Sequence, residues 1–173
     1  MTGSEPFYEA IADGLVDWGV ETLLHVPSSH SAPVIRALQA RGVHSLVANR
    51  EEEAVGIAGG MALAGARAAI VMQDNGFGNA LTALSTFAKA YHVPLPIVAN
   101  TRGGPGEYNA MIWNFSDAVP DLLRALGIRT ERLGPGLSPV AWRTTTRAAA
   151  ALAWTQRRPV VTLFDSLHPA VGA

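Results

Sequence analysis

Apolar and polar positions along this chain follow two periods, helical and strand-like, and the two take turns. From Glu5 to Trp18 the residues Ile11, Leu15 and Trp18 recur on one helical face, and Gly19 supplies a stop. The short apolar run Thr22 to Val26, cut by Pro27, predicts a buried strand. Ser31 to Gln39 predicts a helix with Pro33 in its first turn, and Val43 to Val47 the next strand. A helix rich in small residues over Glu51 to Ala64 leads to a strand over Ala68 to Met72 and a turn at Asp74-Asn75-Gly76. Phe77 to Tyr91 predicts a helix and Leu95 to Ala99 a strand. A loop follows from Asn100 to about Trp113, and Ser116 is placed to cap a helix reaching Leu126. Arg129 to Leu133 predicts a weak strand, Leu133 to Pro139 a Gly- and Pro-rich connection, Val140 to Gln156 a long helix, and Val160 to Phe164 a last strand.

Strict alternation of this kind predicts an α/β fold: a doubly wound, mainly parallel sheet of about six strands with helices on both faces. A single domain over residues 1–173 suits the length. In such sheets ligands sit beyond the carboxyl ends of the strands. Four polar loops follow strand ends here: Pro27 to Ser31, Ala48 to Glu53, Gln73 to Asn79, and Asn100 to Asn109.

Composition narrows the function classes. Thirteen basic and 14 acidic residues leave a net charge of -1, which gives no electrostatic case for nucleic acid or an anionic membrane. With no cysteine, disulfides and thiolate chemistry are excluded, and a cytoplasmic protein is expected. The acidic start, Met1 to Tyr8, has no basic segment leading an apolar run, so no leader is expected. No apolar stretch reaches the roughly 20 residues of a membrane span.

Three segments carry candidate chemistry. In Asn49 to Gly60, the acids Glu51, Glu52 and Glu53 open a helix that continues through Gly56, Ala58, Gly59 and Gly60. Acids at a helix start favour its dipole, which accounts for one or two of them. The glycines cost helix propensity, which points to close packing against a backbone, a subunit or a cofactor. Met72-Gln73-Asp74-Asn75-Gly76-Phe77-Gly78-Asn79 reads as strand, polar turn and helix, where backbone amides can approach a ligand. It is no phosphate loop, because no Lys-Ser/Thr follows. Thr101 to Glu107 is a Gly-rich loop carrying Arg102.

These segments, with His25-Val26-Pro27-Ser28-Ser29 and Arg102-Gly103-Gly104-Pro105-Gly106, resemble the thiamin-diphosphate-dependent decarboxylases of the sulfopyruvate and phosphonopyruvate type, from about Phe7 to Phe164. The resemblance implies a pyrimidine-binding domain. It places on Glu51 the catalytic carboxylate that hydrogen-bonds N1′ of the cofactor's aminopyrimidine, with Gln73, Asn75, Gly76 and Phe77 also at the cofactor. Glu52 and Glu53 are then neighbours with supporting roles. For a 2-oxo acid with a second anion at carbon 3 it offers Ser28, Ser29, His30, Asn79 and Arg102. The segment after Gly106, Glu107-Tyr108-Asn109-Ala110-Met111, departs from the acidic Asp-Glu-Pro-Gln-His pattern of the phosphonopyruvate type.

The family's diphosphate-binding half carries Gly-Asp-Gly, and no Gly-Asp-Gly occurs here. The resemblance therefore implies a separate diphosphate-binding (beta) subunit that holds the diphosphate and Mg2+, with no metal ligand on this chain. Of the five histidines, His25, His44 and His92 read as structural, His168 lies near the tail, and no His-His pair occurs. Two rivals share the pattern: an acetolactate-synthase-like carboligase subunit, and a non-catalytic nucleotide-binding or regulatory α/β module.

Overall fold

The computed structural model describes residues 4–104 and 106–166; His168 and Pro105 lie outside the described residues. Strand composition sets the sheet. β1 (Thr22–His25), β3 (Ala68–Gln73), β4 (Leu95–Thr101) and β6 (Pro159–Asp165) are buried almost throughout, as strands covered on both faces must be. β2 (His44–Val47) and β5 (Arg129–Leu133) carry the polar residues and stand at the two edges. All pairings are parallel, and the six strands run in the order β2-β1-β3-β4-β6-β5.

Two apolar layers hold helices to the sheet. α1 (Glu5–Trp18), α2 (Ala32–Ala40) and α6 (Pro139–Gln156) bury Ile11, Leu15, Leu38 and Trp142 on one face. α3 (Glu51–Leu63), α4 (Phe77–Ala83) and α5 (Ala110–Ala125) bury Val55, Phe77 and Leu123 on the other. From β1 the chain crosses one face through α2 to β2, then returns over the other through α3 to β3. The strand order therefore switches between β1 and β3, where a ligand crevice opens in sheets of this kind. Among the described residues no helix is long and apolar enough to cross a membrane.

The alternating elements are found where the periodicity puts them, with three corrections. The expected cap Ser116 lies inside α5, 4% exposed, and its hydroxyl donates to Asp74 Oδ1 at 2.9 Å. The helix starts earlier, at Ala110, where the Asn109 side chain accepts from the Met111 amide. The expected continuous helix from Phe77 to Tyr91 is α4 followed by a π-helical turn over Leu84–Lys89, with His92 at a positive φ of 57° beyond it. Val26 falls outside β1.

Candidate active site

The crevice is built from the ends of β1 and β3 and the start of α3. α3 begins at Glu51, after Arg50 in extended conformation, so three carboxylates crowd one helix N-terminus. Each takes a different partner. Glu52 pairs with the Arg50 guanidinium, which holds its carboxyl below the ordinary range. Glu53 Oε2 accepts from the Asn49 amide at 2.8 Å, closing the helix start. Glu51 alone reaches across to the first turn of α4, where Asn79 Nδ2 donates to its Oε2 at 2.8 Å.

Gly76 makes that reach possible. A Cβ built on it would stand 2.5 Å from both Glu51 Cγ and Oε1, closer than such atoms approach. Its φ of -63° is ordinary, so the glycine is required by space and not by backbone conformation. Asn79, expected at the substrate, hydrogen-bonds Glu51, and its carbonyl oxygen accepts from Arg50 Nη2 at 3.5 Å. Phe77, expected at the cofactor, is fully buried in the core beneath α3.

The crevice floor is hydrogen-bonded across the switch point. Ser28 Oγ donates to Gln73 Oε1 at 3.0 Å, joining the ends of β1 and β3, and Gln73 Nε2 donates to Asn75 Oδ1 at 3.0 Å. Asp74 is fully buried and accepts from the Arg102 amide at 2.8 Å and from Ser116. Burial raises its pKa, partly offset by those donors. Asp74 thus ties the β3 turn to the loop after β4 and to α5, a role the sequence pattern did not reveal.

Arg102, expected at the substrate's second anion, has its fork closed on Glu107. Nε donates to Oε2 at 2.5 Å and Nη2 to Oε1 at 2.6 Å, with side chains only 4% and 1% exposed. Glu107 also accepts from the amides of Gly103 and Asn109 at 3.4 and 2.8 Å. These donors, Arg102 first, bring its carboxyl down to about 2. The Tyr108 ring centroid lies 5.5 Å from the guanidinium carbon. An acid five residues after an arginine in a Gly-rich loop was the available signal for this clasp.

His30 is half-buried near this pair. Its pKa is lowered, first by burial and then by the Arg102 charge, with Glu107 opposing. Ser29 and Asn75 are exposed. The structure therefore brings Glu51, Asn79 and Gly76 together, Ser28, Gln73 and Asn75 together, and sets His30 toward Arg102 and Glu107.

The sequence matches the family described as "Thiamine pyrophosphate enzyme, N-terminal TPP binding domain" over residues 6–117. It is 30% identical over 160 residues to "Sulfopyruvate decarboxylase subunit alpha" of Methanothermobacter thermautotrophicus, covering 91% of this chain and 94% of that relative. The same-named subunit of Methanococcus maripaludis is 28% identical over 169 residues, 97% of each chain. The fold is similar to a solved 2-oxoglutarate:ferredoxin oxidoreductase from Magnetococcus marinus, at a TM-score of 0.69 and 16% identity over 92% of this chain and 28% of that one. With a match that spans well over half its length, this chain belongs to the thiamine pyrophosphate enzymes as an N-terminal TPP-binding domain.

Proposed function

We propose that the chain is the pyrimidine-binding subunit of a two-component thiamin-diphosphate-dependent decarboxylase acting on a 2-oxo acid with a sulfonate or phosphonate at carbon 3. The observation that carries this reading is Glu51. Of three adjacent acids it is the one turned from its own helix toward the strand-end crevice, in a sequence whose relatives are named sulfopyruvate decarboxylase alpha subunits.

The residues fit an aminopyrimidine. Such a ring needs a carboxylate at N1′ and a close approach, and Glu51 beside the bare Cα of Gly76 offers both. When bound, thiamin diphosphate supplies the electron sink that takes up the pair released as carbon dioxide leaves. Glu51 would share the proton at N1′ and so set the ring's tautomer, with Asn79 fixing the carboxylate's orientation. Gln73 and Asn75, locked to each other and to Ser28, shape the crevice edge.

On the substrate side the donors that make no hydrogen bond among the described residues are the Ser29 hydroxyl, the Asn75 side-chain Nδ2 and His30, which its lowered pKa favours as a neutral N–H donor. Arg102 contributes alongside Glu107, whose charge cancels its own, so recognition of a second anion rests on more than that one cation. A diphosphate-binding beta subunit would hold the diphosphate and Mg2+. Relatives named as alpha subunits support the existence of such a partner.

The outer side of α3 suits that partner. Ile57 and Leu63 are 39% and 54% exposed, and a Cβ added to Gly56 or Gly60 would meet nothing within 4 Å, which leaves a low apolar surface. Gly59 differs, since it packs against Phe87 within the chain. The reading is tested by competition among pyruvate, sulfopyruvate and phosphonopyruvate on the assembled complex. One of the two dianions should be processed at least about tenfold more efficiently than pyruvate, as expected for a site that pairs an extra charged group. Equal processing of all three would remove the anion-recognition part of the proposal.

A further inference from the structure

The amino ends of β4, β6 and β5 lie side by side at the end of the sheet away from the crevice, and three chain segments bring cations there. Lys89 closes the π-helical turn before β4, Arg158 precedes Pro159 at the start of β6, and Arg129 is the first residue of β5. The ammonium of Lys89 donates to the Leu126 carbonyl at the end of α5 and stands 3.3 Å from where a Cβ on Gly127 would lie. Arg158 Nη1 donates in turn to the Lys89 carbonyl. Basic side chains close the last carbonyls of helices, and that accounts for one donor of each residue.

The remaining donors have no such use. Lys89 and Arg158 make no ion pair with a described residue and no further hydrogen bond to one. Arg129 gives its Nε to Glu131 Oε1 at 2.9 Å, which leaves its two Nη groups without a described partner. The three cations line a cleft of about 530 Å³ together with Ser85 and Gln156, and its described lining holds no carboxylate. That volume falls in the range of small-molecule sites, roughly 300–1,000 Å³. Like charges gathered in one place repel, and in a chain of net charge -1 this cluster is a local excess that an anion would relieve. Two guanidinium groups and an ammonium around one polar cleft are the donor set that takes phosphate.

We propose that this cleft binds a phosphate group, free or as a small phosphate ester, held by Lys89, Arg158 and Arg129, with Ser85 and Gln156 beside it to meet the rest of an ester. The site is separate from the crevice. Glu51, Gln73 and Asn79 lie at the carboxyl ends of the strands, whereas the cleft lies at the amino ends, and the seven-residue β4 between the two levels spans about 20 Å at roughly 3.3 Å per residue. No residue of its lining takes part in the crevice hydrogen bonds. The occupant is therefore a ligand that the proposed decarboxylation does not consume.

The test uses the full chain alone, so its failure leaves the decarboxylase reading untouched. Lys89 is the only lysine in the sequence, so labelling lysine with ¹³C at Cε gives a single side-chain signal to follow. That signal and the ¹⁵N backbone amides are recorded while sodium phosphate or ribose 5-phosphate is added at constant pH and ionic strength, with ribose as the neutral control. The expected result is a saturable shift of the Lys89 signal and of the Gly127, Arg129 and Arg158 amides with at least one of the two phosphates, and none with ribose. Which of the two binds more tightly distinguishes a free phosphate from an ester. Arg129→Gln, at the exposed start of edge strand β5, should weaken binding about tenfold, the loss expected for a charge-assisted hydrogen bond. Arg158→Gln should weaken it at least as much; if that variant does not fold, the Arg129→Gln result decides. Shifts that grow linearly, that spare Lys89, that centre on Gln73 to Asn79, that ribose reproduces, or that persist unchanged in folded Arg129→Gln overturn the proposal.

Discussion

Three glutamates in a row differ in role because each finds its partner in a different direction. Glu52 turns back to Arg50, Glu53 to the Asn49 amide, and Glu51 outward to Asn79. Gly76→Ala, assayed in the assembled complex, should cut turnover strongly while the fold survives, because its methyl takes the space of the Glu51 carboxylate. Turnover within about twofold of wild type would remove Gly76 from the account. Glu107 makes a second residue-scale prediction. Its carboxyl is depressed from the ordinary 4.5 to about 2, so the stability it contributes is present above the unfolded value and is lost as pH falls through about 2. Glu107→Gln should lower thermal stability at neutral pH, and the gap to wild type should close as the pH is lowered from about 5 toward 2. A gap independent of pH would mean that the Arg102–Glu107 charge pair contributes nothing specific. The resemblance marked Glu51 and Arg102 in the sequence. That Asn79 serves Glu51, and that Glu107 closes on Arg102, depends on how three strand-end loops meet, which no local pattern encodes.

Elements were legible where burial dominates and less so where a loop folds back. β1, β3, β4 and β6 are apolar runs that no other element could bury so well, and the edge strand β5 was readable despite its charges. The start of α5 was missed because Ser116 precedes an apolar run, as caps do, while the true cap Asn109 sits before exposed Met111 and Trp113. Burial of Ser116 against Asp74 decides its role, and Asp74 is 42 residues away. The glycines of α3 likewise read as one set but divide in three dimensions. Gly59→Ala should destabilise the chain by about 1–3 kcal/mol, since the new Cβ would stand 2.4 Å from the Phe87 ring. Gly60→Ala, with open space around it, should be neutral or stabilising by up to about 1 kcal/mol. Chemical denaturation of the two variants measures both, and equal effects would contradict the packing described here. Gly60→Arg should leave the isolated chain folded yet impair assembly, read by co-elution with the partner.

At the scale of the whole molecule, Ser29 and Asn75 stand exposed at the β1–β3 switch, and the proposed function calls for a second wall there from a partner subunit. Alternation of periods made the doubly wound sheet readable from the sequence, and with it the loops that had to hold the site. In the proposed complex those loops meet the diphosphate-binding partner. The measurement that tests this most directly is carbon dioxide release from sulfopyruvate, with thiamin diphosphate and Mg2+, by this chain alone, by its diphosphate-binding partner alone, and by the two together. Release should require both. In the reconstituted complex Glu51→Gln should reduce it on the order of 10²–10⁴-fold, as for other positioned proton-transfer groups, while Glu52→Gln stays within about tenfold of wild type. Turnover by this chain alone, or a reconstituted Glu51→Gln complex as active as wild type, would contradict the account.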